Sequence, residues 1–395
     1  MHEHYMRIAL AQARRGMGRV SPNPMVGAVV VRGGRIAGRG YHRRAGTPHA
    51  EIHALAEAGG AARRAHLYVN LEPCSHYGRT PPCVDAIIAS RIKKVIIGMT
   101  DPNPLVSGRG VARLKRAGIE VVSGVLEEEC RRLNEEYIKH TTRGVPFVIL
   151  KVASSLDGKI ATASGDSRGL TSPRSIGAVH RLRDRVDAIL VGIGTVEADD
   201  PLLTTRLPGR PGKDPIRVIV DSRLRISPRA RVFNPDSPAG VIMVTTSRAP
   251  CAKRERLERI GGVSFITADG KDGRVDLKKM MRRLGKRGIN SLLIEGGTGI
   301  STSALASGIV DKIIFFYAPK IIGGKFSYPV TAGEGAASVE KALAVRRLAL
   351  KRCGEDILVE GYVQDPAALM RGVARSRGAG GLRRGAGRNN VHRPG

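Results

Sequence analysis

Residues 47–51 read Thr-Pro-His-Ala-Glu, and residues 73–83 read Pro-Cys-Ser-His-Tyr-Gly-Arg-Thr-Pro-Pro-Cys. Between them they supply three borderline metal ligands, His49, Cys74 and Cys83, and one carboxylate, Glu51, left over from the ligand set. One imidazole and two thiolates hold zinc and keep its fourth position for water. Zinc lowers the pKa of that water enough to make a hydroxide nucleophile near neutrality. A carboxylate alongside can pass the proton to departing ammonia, as in zinc enzymes that deaminate nucleobases. Thr47 as N-cap and Pro48 at the first helical position predict that His49 and Glu51 project from the first turn of one helix. Cys83 opens a second helix, whose positive end favours a thiolate. Cys74 follows the short apolar run Tyr68-Val69-Asn70-Leu71 and so lies on a loop leaving a strand. His53, one helical turn after His49, reads as a surface or partner-bonded histidine, because the site already has three ligands. His42, His66 and His76 carry no spacing signal.

Eight residues, Ser75 to Pro82, separate the two cysteines. Deaminases of nucleic acids and cytidine carry two there, so the spacing argues against a polynucleotide substrate. The charge argues the other way. The chain has 395 residues with 66 Lys and Arg against 35 acids, a net charge of +31, a balance that can mean nucleic-acid binding. Residues 366–395 contribute seven arginines and no acids, and removing them leaves +24. The segment from 364 to 395 reads as a basic, Gly/Arg-rich disordered tail. Aromatic residues are 4% of the chain and Trp is absent, which leaves few platforms for stacking single-stranded bases. The remaining positive charge suits phosphate-bearing small molecules. No apolar run is long enough to span a membrane, no signal pattern opens the chain, and five scattered cysteines fit the reducing cytoplasm.

Along the first half, strand patterns at 26–31, 65–71, 94–98 and 120–123 alternate with helical patterns at 1–15, 49–58, 83–92, 110–117 and 127–141. That alternation predicts a layered α/β domain over residues 1–145. Thr141-Thr142-Arg143-Gly144-Val145-Pro146 is the junction. A second α/β domain, 146–363, restarts with the unbroken apolar run Phe147–Ala153. Two glycine-rich turns follow strands in it. Val191-Gly192-Ile193-Gly194-Thr195 has Glu197 where a third dinucleotide-binding glycine belongs. Ile294-Glu295-Gly296-Gly297-Thr298-Gly299 leaves a strand and opens a helix, which directs backbone N–H groups at a phosphate. Taken alone, both also fit ordinary tight turns.

Ser21-Pro22-Asn23-Pro24-Met25-Val26-Gly27, His49-Ala50-Glu51 and the loop Gly78-Arg79-Thr80-Pro81-Pro82 between the cysteines resemble the bifunctional deaminase/reductase family of riboflavin biosynthesis. The runs 151–161, 195–201 and 295–297 resemble the same family's reductase domain. The resemblance covers about residues 1 to 363. It implies a cytidine-deaminase-like layered domain followed by a dihydrofolate-reductase-like α/β domain, with Zn2+ and NADPH as cofactors. It implies deamination of 2,5-diamino-6-(5-phosphoribosylamino)pyrimidin-4-one by zinc hydroxide with Glu51 as catalytic residue. NADPH-dependent reduction of the ribosyl group to ribityl follows.

By the same resemblance, Ala153, Thr195, Asp199, Ser222 and Gly297 lie at cofactor positions. Asn23, Ser167, Arg183, Leu203, Arg206 and Glu295 match substrate positions, with Arg183 and Arg206 suited to a sugar phosphate. Lys151 and Glu295 are candidates for moving a proton in the reduction. The implied partner is a small pyrimidine ribosylamine phosphate, with a homo-oligomer expected, no nucleic acid and no membrane. Gly169 departs from the family, which commonly has a large aromatic there, and this opens space beside the nicotinamide or substrate. The alternative reading is a tRNA-type deaminase whose second domain is not catalytic.

Overall fold

Two apolar runs organise the two halves of the chain. Gly27–Arg32 (β1) and Phe147–Ser155 (β6) are buried almost throughout, as strands are when helices cover both faces of their sheet. The computed structural model describes residues 1–77, 81–104, 106–234 and 236–365. From residue 366 the expected basic tail lies outside the described residues, as do Gly78 to Thr80 of the inter-cysteine loop.

The first sheet has the order β2-β1-β3-β4-β5, with β2 at Arg35–Tyr41, β3 at His66–Leu71, β4 at Lys94–Met99 and β5 at Glu120–Ser123. β1 is antiparallel to both neighbours, and β3, β4 and β5 run parallel. The strand period of two splits its residues between two cores. Val69 and Ile97 pack with Ala54 and Leu55 of α2 (Ala50–Ala58) and Ile87 of α3 (Cys83–Ala89) on one face. Tyr68 and Ile96 pack with Met6 and Leu10 of α1 (His2–Arg14) on the other. α4 (Arg109–Arg116), α5 (Glu127–Leu133) and α6 (Glu135–Arg143) complete this half.

The second sheet has nine strands in the order β11-β10-β9-β8-β12-β6-β13-β16-β15. β8 is Ala188–Gly192, β9 Ile216–Val220, β10 Val241–Thr245, β11 Val263–Thr267, β12 Ser291–Ile294 and β13 Lys312–Ala318. All of these and β6 pair in parallel, whereas β16 (Asp356–Tyr362) and β15 (Arg346–Cys353) add an antiparallel edge. Among its connections are α7 (Pro173–Arg185), α8 (Ile193–Asp199), α9 (Cys251–Glu258), α10 (Leu277–Lys286) and α11 (Thr298–Ala306), and β7 (Lys159–Ala161) pairs with β14 (Tyr328–Pro329) in a separate two-stranded ribbon. β8 leads directly into α8, and β12 reaches α11 through a glycine turn.

Four details differ from expectation. The helix predicted over 127–141 is two helices, because Asn134 leaves helical geometry at φ −110° and ψ 22°. Its side chain accepts from Met25 N and donates to Met25 O instead. The helix carrying Glu51 starts at Ala50, with His49 as an extended N-cap, and Thr47 donates to Arg44 O rather than capping it. β2 gave no strand pattern because it carries Gly38 and Gly40, on which α2 lies. A Cβ at Gly40 would come 2.1 Å from Ala50 O, and one at Gly38 2.2 Å from Ala54 O. β15 escaped because it is an exposed edge strand, half of it charged and lacking a buried face.

The seam between the halves is polar and dry. Lys139 of α6 reaches Asp311, just before β13, at 2.5 Å, and both side chains are buried. Asp311 also accepts from Val148 N at 2.7 Å. Arg185 pairs with Glu136 at 2.8 Å, and Tyr362 donates to Glu135 at 2.6 Å. Removing one member of a buried pair strands the other charge, at a cost of about 3–5 kcal/mol. Lys139→Met is therefore expected to lower the unfolding free energy measured in urea by that amount, with a lower midpoint. Lys139→Met/Asp311→Asn should recover most of the loss, because no charge remains stranded. Equal midpoints for Lys139→Met and the parent chain would refute this account of the seam.

Candidate active sites

The N-terminal edge of α2, the loop after β3 and the start of α3 converge on one point. His49 Nδ1 lies 3.2 Å from Cys83 Sγ and 3.6 Å from Cys74 Sγ. All three ligand atoms fall within 4.8 Å of one another. Zinc sits about 2.0–2.3 Å from imidazole nitrogen and thiolate sulfur, so these separations let one ion reach all three. Cys83 N donates to Cys74 Sγ at 3.3 Å. Hydrogen bonding from Cys83, together with His49, pulls the Cys74 thiol down to about 4, against the effect of burial. The neighbouring Cys74 and burial push the Cys83 thiol up, and a metal held between the two sulfurs takes both as thiolates. Glu51 is buried, and its Oε2 has no hydrogen-bond partner among the described residues. Burial raises its carboxyl above the ordinary range. A protonatable, unpartnered carboxylate beside a three-ligand cluster is what the expected zinc chemistry requires.

His49, Glu51 and Cys74 line a cavity of about 380 Å³. Asn23 also lines it, with Nδ2 3.0 Å from His42 Nε2. His42 is buried, its Nδ1 lies 3.3 Å from Pro48 O, and its ring meets the His49 ring edge-on at 5.2 Å. A carbonyl oxygen can only accept, so Nδ1 donates to it and Nε2 accepts from Asn23. Burial, with His49 and His53 nearby, lowers the His42 pKa, which fits that neutral tautomer. The Asn23 amide is then turned so that Oδ1 remains to accept from a ligand. Sequence reasoning missed His42, which no spacing singles out. It also missed Asp101, which accepts from Tyr137 OH and from Asn103 N at 2.9 Å each. Burial raises Asp101 to about 6, in spite of those two donors. The one available signal was Asp101-Pro102-Asn103-Pro104 after a buried strand, a turn resembling Pro22-Asn23-Pro24. His76 also lines this cavity.

In the second half, a cavity of about 560 Å³ opens at the carboxyl ends of β6, β8 and β12, where open α/β sheets bind cofactors. Ala153, Ser167, Thr195, Asp199, Glu295 and Gly297 line it, together with Lys151. Gly297 N donates to Thr195 Oγ1 at 3.2 Å, which ties the two glycine turns together. A Cβ at Gly194 or Gly299 would meet open space, and α11 starts at this cleft, so the site fits a phosphate-bearing dinucleotide.

Arg183, Leu203 and Arg206 line a second cavity of about 390 Å³ with Arg231. The ion pair of Arg183 with Glu295, at 2.8 and 3.1 Å, joins the two cavities. The Arg183 fork is therefore engaged with a carboxylate and Thr204 O rather than standing open. Leu203 is buried at φ +55°, a strained backbone of the sort found at binding sites. Ser222 lies in neither cavity lining; it follows β9, and its Oγ accepts from Val275 N. Gly169 adopts φ +64°, and a Cβ there would meet open space. Its carbonyl accepts from Lys320 Nζ at 2.5 Å.

Burial would raise the Glu295 carboxyl, but Lys151 and Arg183 more than offset this and hold it at about 2. The folded pKa is below the ordinary value, so Glu295 contributes stability above that value and loses it as pH falls toward 2. The wild-type chain should lose on the order of 3 kcal/mol more than Glu295→Gln over this acid range. Urea midpoints measured across it will show parallel curves if the account is wrong.

A buried carboxylate beside a His/Cys/Cys cluster in one half, and a cofactor cleft on the α/β sheet of the other, define a two-domain deaminase and reductase. Comparison with known proteins narrows the class. Residues 1–99 match the zinc-binding region of cytidine and deoxycytidylate deaminases, and residues 146–359 match the RibD C-terminal domain. The riboflavin biosynthesis protein RibD of Aquifex aeolicus is 44% identical over 357 residues, covering 90% of this chain and 97% of that one. RibD of Acinetobacter baumannii superposes with a TM-score of 0.82 at 36% identity, covering 91% of this chain and 98% of that one. A diaminohydroxyphosphoribosylaminopyrimidine deaminase/5-amino-6-(5-phosphoribosylamino)uracil reductase of Thermotoga maritima superposes with a TM-score of 0.79 at 39% identity and the same coverages. The chain belongs to the RibD family of riboflavin biosynthesis. It is a zinc-dependent hydrolase and an NADPH-dependent oxidoreductase, a deaminase and reductase on one chain.

Proposed function

We propose that residues 1–145 deaminate 2,5-diamino-6-(5-phosphoribosylamino)pyrimidin-4-one. Residues 146–363 then reduce the ribosyl group of the product to ribityl. The observation that carries this reading is Glu51 Oε2, buried and unpartnered beside His49, Cys74 and Cys83. The name of the Thermotoga maritima relative pairs the same two activities. His49, Cys74 and Cys83 hold zinc, which when bound supplies an acidified water as nucleophile. Glu51 moves a proton at its unpartnered oxygen to the exocyclic nitrogen, so that ammonia departs. Asn23 accepts a base N–H at Oδ1, oriented by its bond to His42. A cavity of about 380 Å³ suits one small pyrimidine phosphate better than a polynucleotide.

Ala153, Thr195, Asp199 and Gly297 hold NADPH, which supplies hydride when bound. Ser222, beyond the carboxyl end of β9, meets the far end of the cofactor. Ser167, Leu203 and Glu295 position the substrate, and Arg183 and Arg206 form the basic side where its phosphate lies. A carboxyl held near 2 is ionised at neutral pH, so Glu295 orients and Lys151 gives the proton. No helix among the described residues is long and apolar enough to cross a membrane. The cytoplasm suits a chain none of whose five cysteines is paired in a disulfide. The open edge at β15, with Leu348 and Leu350 exposed, favours a homo-oligomer.

The test follows ammonia and NADPH separately. Glu51→Gln should retain zinc and lose about 10²–10⁴-fold in ammonia release. It should still oxidise NADPH normally when given the deaminated intermediate. Retained deamination in Glu51→Gln with zinc bound would sink the proton-transfer role. Ammonia release by the parent chain, without NADPH oxidation on the intermediate, would show a second domain that is not catalytic on this substrate.

A further inference from the structure

The loop that carries Asn23 is held by the other domain. Gly18 turns at φ +72°, and a Cβ there would come 2.4 Å from Asp184 O, so the loop lies directly on the carboxyl end of α7. Arg19 then donates to Asp184 Oδ1 at 2.9 Å and to Asp184 O at 3.2 Å. Ser21 Oγ donates to Asp187 Oδ2 at 2.9 Å. Asn290 Nδ2 donates to Pro22 O at 2.8 Å, which fixes the peptide immediately before Asn23. The same Asp187 oxygen accepts from Asn290 N at 2.9 Å and Ser291 N at 3.2 Å, so both anchors rest on one carboxylate.

Asn290 is buried, and its Oδ1 has no partner among the described residues. Burying an amide with one end unpaired costs free energy. Its bond to Pro22 O is the polar contact its side chain makes in return. That bond also sets the orientation of the amide, because a carbonyl oxygen cannot donate. On the far side of the loop, Asn23 meets His42 through Nδ2 and donates from its own N to Val20 O at 2.9 Å. Pro22 and Asn23 both line the deaminase cavity. Asn290 stands at the amino end of β12, whereas Glu295 to Gly297, after its carboxyl end, line the cofactor cleft.

We propose that Asn290, with Asp187, is a positioning residue for the deaminase: the reductase domain holds Pro22 and Ser21 so that Asn23 meets the base. The first active site is completed by a contact from the second domain, at the end of β12 remote from hydride transfer. This rests on the reading of Asn23 as the base contact. The contact acts on binding, so its loss raises KM and spares kcat.

The full-length zinc enzyme is compared with Asn290→Leu, which is near in size and lacks the donor, and with Ser21→Ala, which removes the second anchor. Each should raise the deaminase KM roughly 3- to 10-fold, the scale of one hydrogen bond. Deaminase kcat should stay within about twofold. Zinc content and NADPH oxidation on the deaminated intermediate should be unchanged, and they also report that each variant is folded. A residue acting through another gives no additional loss once that other is gone. Asn23→Ala/Asn290→Leu should therefore be no weaker than Asn23→Ala alone. Additive losses, or an unchanged KM in both anchor variants, overturn the proposal while leaving the role of Asn23 intact. A fully active Asn23→Ala removes the base-contact reading and this proposal with it.

Discussion

The approach of α2 to β2 is the constraint on which the deaminase half depends. Gly38 and Gly40 leave no side chain between helix and strand, and Ala50 and Ala54 are small on the other side. The helix therefore lies against the backbone of the strand, and its amino end stops where β3 and α3 end and begin. His49, held extended at the N-cap, and Glu51, one residue into the helix, then face Cys74 and Cys83. Any side chain at Gly40 would lift the helix and move two functional groups at once. Close packing of this sort transmits displacement, because an interior at crystal density has no slack to absorb it.

The reductase half depends on charge rather than on close approach. Glu295 is buried with two cations on it, Lys151 at 3.4 Å and Arg183 at 2.8 Å. That carboxylate joins the cofactor cleft to the basic cavity and draws the arginine fork inward. Arg206 and Arg231 are left to face the open side. The domain seam uses the same device, with Lys139–Asp311 buried and Glu136–Arg185 half-buried between halves. Buried pairs are poor sources of net stability but strongly penalise misalignment.

Much of this was legible in the chain. The cluster of His49, Cys74 and Cys83 with Glu51 nearby follows from residue type and order, and the apolar runs at 26–31 and 147–153 announced both sheets. Cys83 at a helix start and Cys74 on the loop after a strand were also readable. The misses have definite causes. Asn134 broke a helix through a bond to Met25, far away in sequence. His49 became an N-cap where Thr47 had the better local claim. β2 was hidden because the glycines that make it useful erase its strand pattern. His42 and Asp101 entered the site through folding, and nothing local marks either.

The sequence by itself determined the chemistry on offer: which side chains could hold a metal, which carboxylate could carry a proton, and which glycine turns could meet a phosphate. Those properties belong to side chains and short-range order, which the chain carries without folding. The tertiary structure alone decided that Asn23 is oriented by His42 and that the Arg183 fork is engaged with Glu295. It alone placed Asn290 against the loop before Asn23. Each of these is a contact between residues remote in sequence, with a direction and a distance. Such contacts exist only once packing has brought the elements together, so no local pattern could have encoded them legibly.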